Sequence, residues 1–357
     1  MACAPAAPDG DDSDTDAVAD TDTVDAPDPL AWSPQARGPY QVGFRTWEVS
    51  YTLRPGETRT IGLNVWYPTD ATDGPVLSYA GIAPATDTLG DAPPAAPVHA
   101  GGFPLLAYSH GDRGFGGTSG ELMGWMASHG WAAVAPDHRG NLLTEGTDNP
   151  QEHWHHRPAD IAAVVDALRD LPASDPLAGL VATDRYVMSG HSRGGSTVWS
   201  VAGAAFEGEP DAWCPGCTDD QRMPFLDGSL ADPRAEAFVL LATGVRNSLF
   251  GDAGHRQAAD SPWLLLTGTA DNDGGVQAWA DLDGFGAVWA QLAGGCHQTF
   301  ALGSCPTLDP VLGFRLVDSY VLAFARAHLL GDDGEEVGGL LDGTLVPDPV
   351  VTFSRRD

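Results

Sequence analysis

From Trp47 to Leu53 apolar and polar residues alternate one by one, with Val49 and Tyr51 set between Glu48, Ser50 and Thr52. A period of two belongs to a strand with one buried face. After the turn Arg54-Pro55-Gly56-Glu57 the alternation resumes, with Ile61, Leu63, Val65 and Tyr67 among Thr60, Gly62, Asn64 and Trp66. The two runs predict an antiparallel hairpin. The stretch 68–102 is rich in Pro, Ala, Gly and Asp and reads as a long surface connection.

From Phe103 the pattern changes. Apolar runs of strand length at 104–109, 130–136, 185–189, 236–243, 262–267 and 287–292 take turns with segments of helical period. In the helix opened by Arg157 and Pro158, residues Ile161, Val164, Val165, Leu168 and Leu171 fall on one face, as do Leu312, Leu316, Val317, Tyr320, Val321 and Phe324 within 310–330. Strands without a polar face are covered on both sides, so the class is α/β: a mostly parallel central sheet, an N-terminal antiparallel hairpin and helices on both faces. The expected organisation is a disordered acidic tether at 1–37, one body at 38–330 and a tail at 331–357 with some order from Val350, Val351 and Phe353. Within the body, 206–235 is an irregular insertion placed where a lid could be built.

The run Arg185-Tyr186-Val187-Met188-Ser189-Gly190-His191-Ser192-Arg193-Gly194-Gly195-Ser196 passes from a buried strand through Gly-x-Ser-x-Gly into helix-compatible residues. Small residues flanking a serine at such a strand-to-helix turn make a nucleophile elbow, which lifts the hydroxyl clear of the sheet. A serine hydroxyl is a weak nucleophile at neutral pH and requires a base, and the base requires a carboxylate to orient it. On this scaffold the partners follow in the order Ser, acid, His, each just after a strand. His297 meets that rule, since of the histidines beyond the acid loop only His328 competes and it lies inside the closing helix. For the acid, Asp271 and Asp273 share the loop after 262–267; Asp271 is favoured by its offset from Gly268, and Asp273 stays open as the alternative. The expected oxyanion donors are the backbone N–H of Arg193 and that of Asp112 after the Ser109-His110-Gly111 turn, with Arg113 as the alternative. His110 reads as structural.

Composition narrows the partners. The formal charge is −31, all 18 basic residues are Arg, and nine of the acids are Asp within the first 29 positions. Such a surface repels phosphate backbones and anionic headgroups, which excludes nucleic acid as an expected partner. Cys214 with Cys217, and Cys296 with Cys305, are spaced to close short disulfide loops, which implies an oxidising compartment. The remaining Cys3 precedes an Ala, Pro, Asp and Thr tract too poor in apolar residues to fold. That arrangement resembles the start of a mature bacterial lipoprotein, so a lipid on Cys3 is the one expected link to a membrane and export is the expected localisation.

Further motifs sharpen the picture: Val65-Trp66-Tyr67-Pro68, Ser109-His110-Gly111, Ser128-His129-Gly130, Pro136-Asp137-His138, Arg157-Pro158-Ala159-Asp160 and Gly190-His191-Ser192-Arg193-Gly194-Gly195. On these, 38–330 resembles the bacterial α/β-hydrolases related to platelet-activating-factor acetylhydrolase, dienelactone hydrolase and the cutinase-like polyesterases. The resemblance implies an α/β-hydrolase fold and a serine carboxylesterase without cofactor. The cutinase-like enzymes tend to carry a disulfide near the histidine, which Cys296 and Cys305 mimic. They also place an aromatic residue after the oxyanion turn and a hydrophobic one after the serine, where this chain has Asp112 and Arg193.

The expected function is therefore ester hydrolysis through an acyl-enzyme, with a polyester hydrolase, a lipid acetylhydrolase and a catalytically idle surface-binding lipoprotein as alternatives. The cluster Glu152-His153-Trp154-His155-His156 reads as a loop by the site rather than a metal centre. Asp271-Asn272-Asp273-Gly274 lacks the remaining ligands of a calcium loop. No metal is expected.

Overall fold

The computed structural model of the chain describes residues 1–2, 28–54, 56–79, 82–145, 153–207, 214–272 and 274–357. Cys3, Glu152 and Asp273 lie outside the described residues. The strands are β1 (Gln41–Arg54), β2 (Glu57–Thr69), β3 (Val76–Tyr79), β4 (Ile82–Gly90), β5 (Phe103–Ser109), β6 (Ala132–Asp137), β7 (Val181–His191), β8 (Ala235–Leu241), β9 (Trp263–Gly268), β10 (Ala287–Leu292) and β11 (Val351–Arg356). They form one sheet in the order β11-β10-β9-β8-β7-β5-β6-β2-β1-β4-β3, parallel from β6 through β10.

Each parallel strand is apolar throughout because it serves two cores. Leu105 and Ala107 of β5 face one side with Ile161, Val164 and Val165 of α2 (His153–Arg169) and Trp199 of α3 (Gly194–Val201). Leu106 and Tyr108 face the other, with Met123 and Met126 of α1 (Gly120–Ser128). The α4 helix is Asp219–Leu226 and α5 is Gly275–Asp281; the closing helix, α6 (Pro310–Ala325), puts Leu316, Val317, Tyr320 and Phe324 on the α1 side. An apolar face on both sides of a sheet is what parallel strands require, and the expected α/β class and hairpin are both present.

Several boundaries differ from the periodicity. The hairpin begins at Gln41 rather than Trp47, because Val42 and Phe44 reach the core beside α1. The connection after it carries β3 and β4, and β4 pairs in parallel with β1 at Val42–Phe44. The α2 helix starts at His153, one turn before Arg157-Pro158, with His155, His156 and Arg157 buried. Pro158 forfeits one helical bond in an early turn, an offset that burial of this face tolerates.

The segment 331–357 is part of the body. There α7 (Glu335–Asp342) packs Val337 and Leu340 into the α6 core, and β11 pairs antiparallel with β10 from Ala287↔Arg356 to Leu292↔Val351. Pairing gives the backbone groups of the β10 edge partners they would otherwise lack. Residues 28–37 also join the body: Arg326 donates to the carbonyls of Leu30 and Trp32 and pairs with Asp332. The insertion holds α4, whose Thr218 and Gln221 form a capping box, with Phe225 packed on Phe206 and His155. Two disulfides, Cys214–Cys217 and Cys296–Cys305, close the expected loops and fit an oxidising environment. Among the described residues no helix is long and apolar enough to cross a membrane.

Candidate active site

The strand order reverses at β5: the chain leaves β5 for β6 on one side and returns through α2 to β7 on the other. The loops after β5 and β7 therefore meet at one crevice beyond the carboxyl ends of the strands. Ser192 stands there between β7 and α3 with φ +53°, a strained conformation for a residue with a Cβ. The flanking glycines are required by contact: a Cβ on Gly190 would lie 2.4 Å from the Gly194 carbonyl oxygen, and one on Gly194 would lie 2.0 Å from that of Ser109. The Ser192 N–H donates to Leu241 O at 3.0 Å, which ties the elbow to β8.

His297 follows β10 and shares a cavity wall with Ser192. Its Nδ1 lies 3.0 and 3.2 Å from the two oxygens of Asp271, which is almost fully buried while the imidazole remains partly open. Nδ1–H donation to that carboxylate leaves Nε2 as the acceptor. His191, inside the Gly-x-Ser-x-Gly run, donates from Nε2 to the His297 carbonyl at 3.0 Å, and its ring lies 4.6 Å from the His297 ring. The Cys296–Cys305 disulfide adjoins the same loop.

The turn after β5 lies against Ser192: a Cβ on Gly111 would sit 3.4 Å from Ser192 Cβ and 3.0 Å from His191 Nδ1. The backbone N–H groups of Asp112 and Arg193 donate to no acceptor among the described residues, and neither does that of Arg113, whose φ is +51°. Asp112 and Arg193 also meet through their side chains, Nη1 to Oδ1 at 2.6 Å. Burial opposes ionisation of Asp112, but a hydrogen bond from Asn141 and the charge of Arg193 hold its carboxyl below the usual range. The Arg193 guanidinium lies 4.5 Å from the ring centre of Trp154, and Arg246 approaches the same ring at 5.2 Å.

Ser192 borders two cavities. One, of about 280 Å³, runs between the Gly111–Phe115 turn and His297, Ala301 and Leu302. The other, of about 330 Å³, lies between Thr243–Arg246 and Gln277 and Asp281. A larger cavity, of about 540 Å³, opens among Trp263, His328 and Arg355, away from these residues.

Beneath the cleft lies a second set of the same three residue types, entirely buried. Ser109 Oγ is 2.9 Å from His138 Nε2, and His138 Nδ1 is 2.8 Å from Asp160 Oδ2. Asp160 also accepts from the Tyr51 hydroxyl and the Arg59 guanidinium, each at 2.7 Å. Burial next to Asp160 pushes the Tyr51 hydroxyl well up, so it remains a donor. His110 is buried as expected of a structural histidine: its Nε2 accepts from the His138 N–H at 3.2 Å, so its Nδ1–H donates to Gly111 O at 2.8 Å. Burial first, and the Arg157 charge second, push its pKa well below the ordinary value and keep it neutral.

The histidine cluster is organised by packing rather than by a loop. His155 and His156 lie within α2, buried, with ring centres 4.4 Å apart and His155 against Phe225. Among the described residues no group of three His, Cys, Asp or Glu gathers as metal ligands would. His191, Asn141 and Arg157 have no site role readable from the chain, because polar residues inside motifs and loops carry no periodicity, and only the fold shows what they touch.

The sheet order, the crevice and the elbow define the α/β-hydrolase fold. Within it, residues 93–209 match a family described as chlorophyllase. A solved structure of a ferulic acid esterase from Streptomyces cinnamoneus superposes with a TM-score of 0.59 at 21% identity, covering 88% of this chain and 97% of that one. No curated protein matches the chain in sequence.

Proposed function

We propose that the protein is a serine carboxylic-ester hydrolase acting through an acyl-enzyme. Ser192 attacks the ester carbonyl while His297 Nε2 takes the hydroxyl proton and returns it to the departing alcohol. Asp271 fixes the imidazole tautomer and stabilises the imidazolium. The N–H groups of Arg193 and Asp112 receive the oxyanion, and water then releases the acid by the same steps. The observation that carries this reading is the strained Ser192 beside an imidazole already held by a buried carboxylate. The esterase names of the matched family and fold neighbour support it.

The two cavities beside Ser192 fit an acyl group on one side and an alcohol on the other. A lipid acetyl ester and a polyester are narrower readings within the same chemistry. Two disulfides support export, and a lipid on Cys3 would tether the exported enzyme.

The test is a rate series over p-nitrophenyl esters of increasing acyl length, beside polyester particles, with Ser192→Ala as control and a fluorophosphonate probe for covalent labelling. Hydrolysis and labelling are expected in the wild type and not in the variant. A steep preference for acetyl would remove the polyesterase reading, and soluble products released from particles would promote it. Equal activity in Ser192→Ala would overturn the mechanism, and absence of both hydrolysis and labelling in the wild type would favour a binding-only protein.

A further inference from the structure

One strongly buried charge has no part in the steps above. Arg157, 1% exposed, makes no ion pair among the described residues. Its donors go to the carbonyls of His110 at 2.5 Å and Gly111 at 3.0 Å, to Asn141 Oδ1 at 2.6 Å and to Ser109 Oγ at 3.3 Å. Burial, with the positive charge of Arg193 nearby, pushes its pKa down to about 9, still above neutrality, so the guanidinium stays charged. A buried cation is expensive to retain, and a planar fork with several acceptors grips more than one group at once.

What it grips has a geometric consequence. In a trans peptide the C=O and the N–H point in opposite directions. The Gly111 carbonyl is drawn inward by Arg157 and by His110 Nδ1–H, so the N–H of the same peptide, which belongs to Asp112, is turned outward from the core. Asn141 extends the grip: its Oδ1 accepts from Arg157 while its Nδ2 donates to the Asp112 carboxylate at 3.0 Å. That carboxylate in turn holds the Arg193 guanidinium. The two residues assigned as oxyanion donors are thus joined through their side chains to one buried cation.

We propose that Arg157 is the positioning residue of the oxyanion hole, orienting the Gly111–Asp112 peptide directly and tying Asp112 to Arg193 through Asn141. The proposal rests on the ester-hydrolase reading. It assigns Arg157 no contact with substrate; its effect runs through the aim of a backbone donor, which matters most where charge develops in the transition state.

Arg157→Lys keeps the charge but loses the fork, and Asn141→Ser cuts the link to Asp112 while sparing the direct grip. With a p-nitrophenyl ester, Arg157→Lys is expected to lower kcat by about 100-fold with KM nearly unchanged, the cost of misplacing one oxyanion donor, and Asn141→Ser by about 10-fold. Affinity for an alkyl trifluoromethyl ketone, which forms an oxyanion on Ser192, should fall by matching factors. Affinity for an ether of the same length, which forms none, should not change. Thermal melting checks that each variant is folded; if Arg157→Lys does not fold, Asn141→Ser decides. A folded variant with wild-type kcat, or a lowered kcat with unchanged ketone affinity, overturns the proposal. Those results in an active wild-type background leave the ester-hydrolase reading standing, whereas a wild type that neither cleaves the ester nor binds the ketone overturns both.

Discussion

Among the described residues Ser, His and Asp come together in two sets, and only one of them is proposed to react. In the set Ser109, His138 and Asp160 every group is buried and held from several sides: Thr197 and Arg157 contact Ser109, and Tyr51 and Arg59 contact Asp160. Ser109 ends the strand β5 and is fully buried. In the set Ser192, His297 and Asp271 the carboxylate is buried, but the imidazole is partly open and the serine stands on a strained turn between two cavities. Residue types and hydrogen bonds are common to both sets. Adjoining cavities, a serine on a strained turn, and nearby N–H groups without acceptors among the described residues distinguish the second.

The largest expected effect tests the reactive side. Ser192→Ala, or Asp271→Asn, should cut kcat by about 10⁴-fold or more while leaving the melting temperature close to wild type; a loss of only a few-fold would erase the contrast between the sets. On the buried side, Asp160→Asn should act on stability instead. It strips the buried partner from Arg59 and is expected to cost about 3–5 kcal/mol in denaturant unfolding. Were it to cost less than about 1 kcal/mol, the buried set would not be the structural brace described.

A smaller effect sits between the two. Cys305→Ser opens the loop that carries His297, with an expected loss of about 2–3 kcal/mol by chain entropy and a lower kcat from a less fixed imidazole. Stopped-flow turnover and melting of the same sample would separate the two losses.

The smallest effect concerns a third buried carboxylate, which has neither arrangement. Asp318 of α6 is fully buried, and among the described residues neither oxygen has a hydrogen-bond partner. Burial first, and then Glu121, raise its pKa well above the ordinary value, with Arg37 opposing. A folded pKa raised above the unfolded one gives stability that is fully present below pH 4 and is lost as pH rises through the folded value. Asp318→Asn should remove that decline and add about 1–3 kcal/mol at pH 8, read by urea unfolding at pH 5 and pH 8. No difference between the two pH values in the wild type would contradict the burial account.

Much of the architecture was legible in residue patterns. Strands apolar at every position, such as Trp263–Gly268, signal two covering layers directly. The edges were harder. The strand Val351–Arg356 is short and carries two arginines, so nothing in its composition distinguishes an edge strand from a tail. The α2 start at His153 was hidden by Pro158, a residue that ordinarily marks the first turn. In the site, Ser192 and His297 stood out by motif and chain order. The choice between Asp271 and Asp273 did not, because both occupy one loop and differ only in where that loop turns.

The layered α/β class, the elbow around Ser192 and the order in which candidate partners follow it can be read along the chain, because these depend on periodicity and local turn chemistry. It takes the packed fold to show that Asp271 faces His297, that a second Ser–His–Asp set is sealed in the core, and that Arg157 grips the turn beside Ser192. Those facts depend on directions between residues far apart in the chain, which are set when the sheet brings the ends of β5, β7, β9 and β10 together.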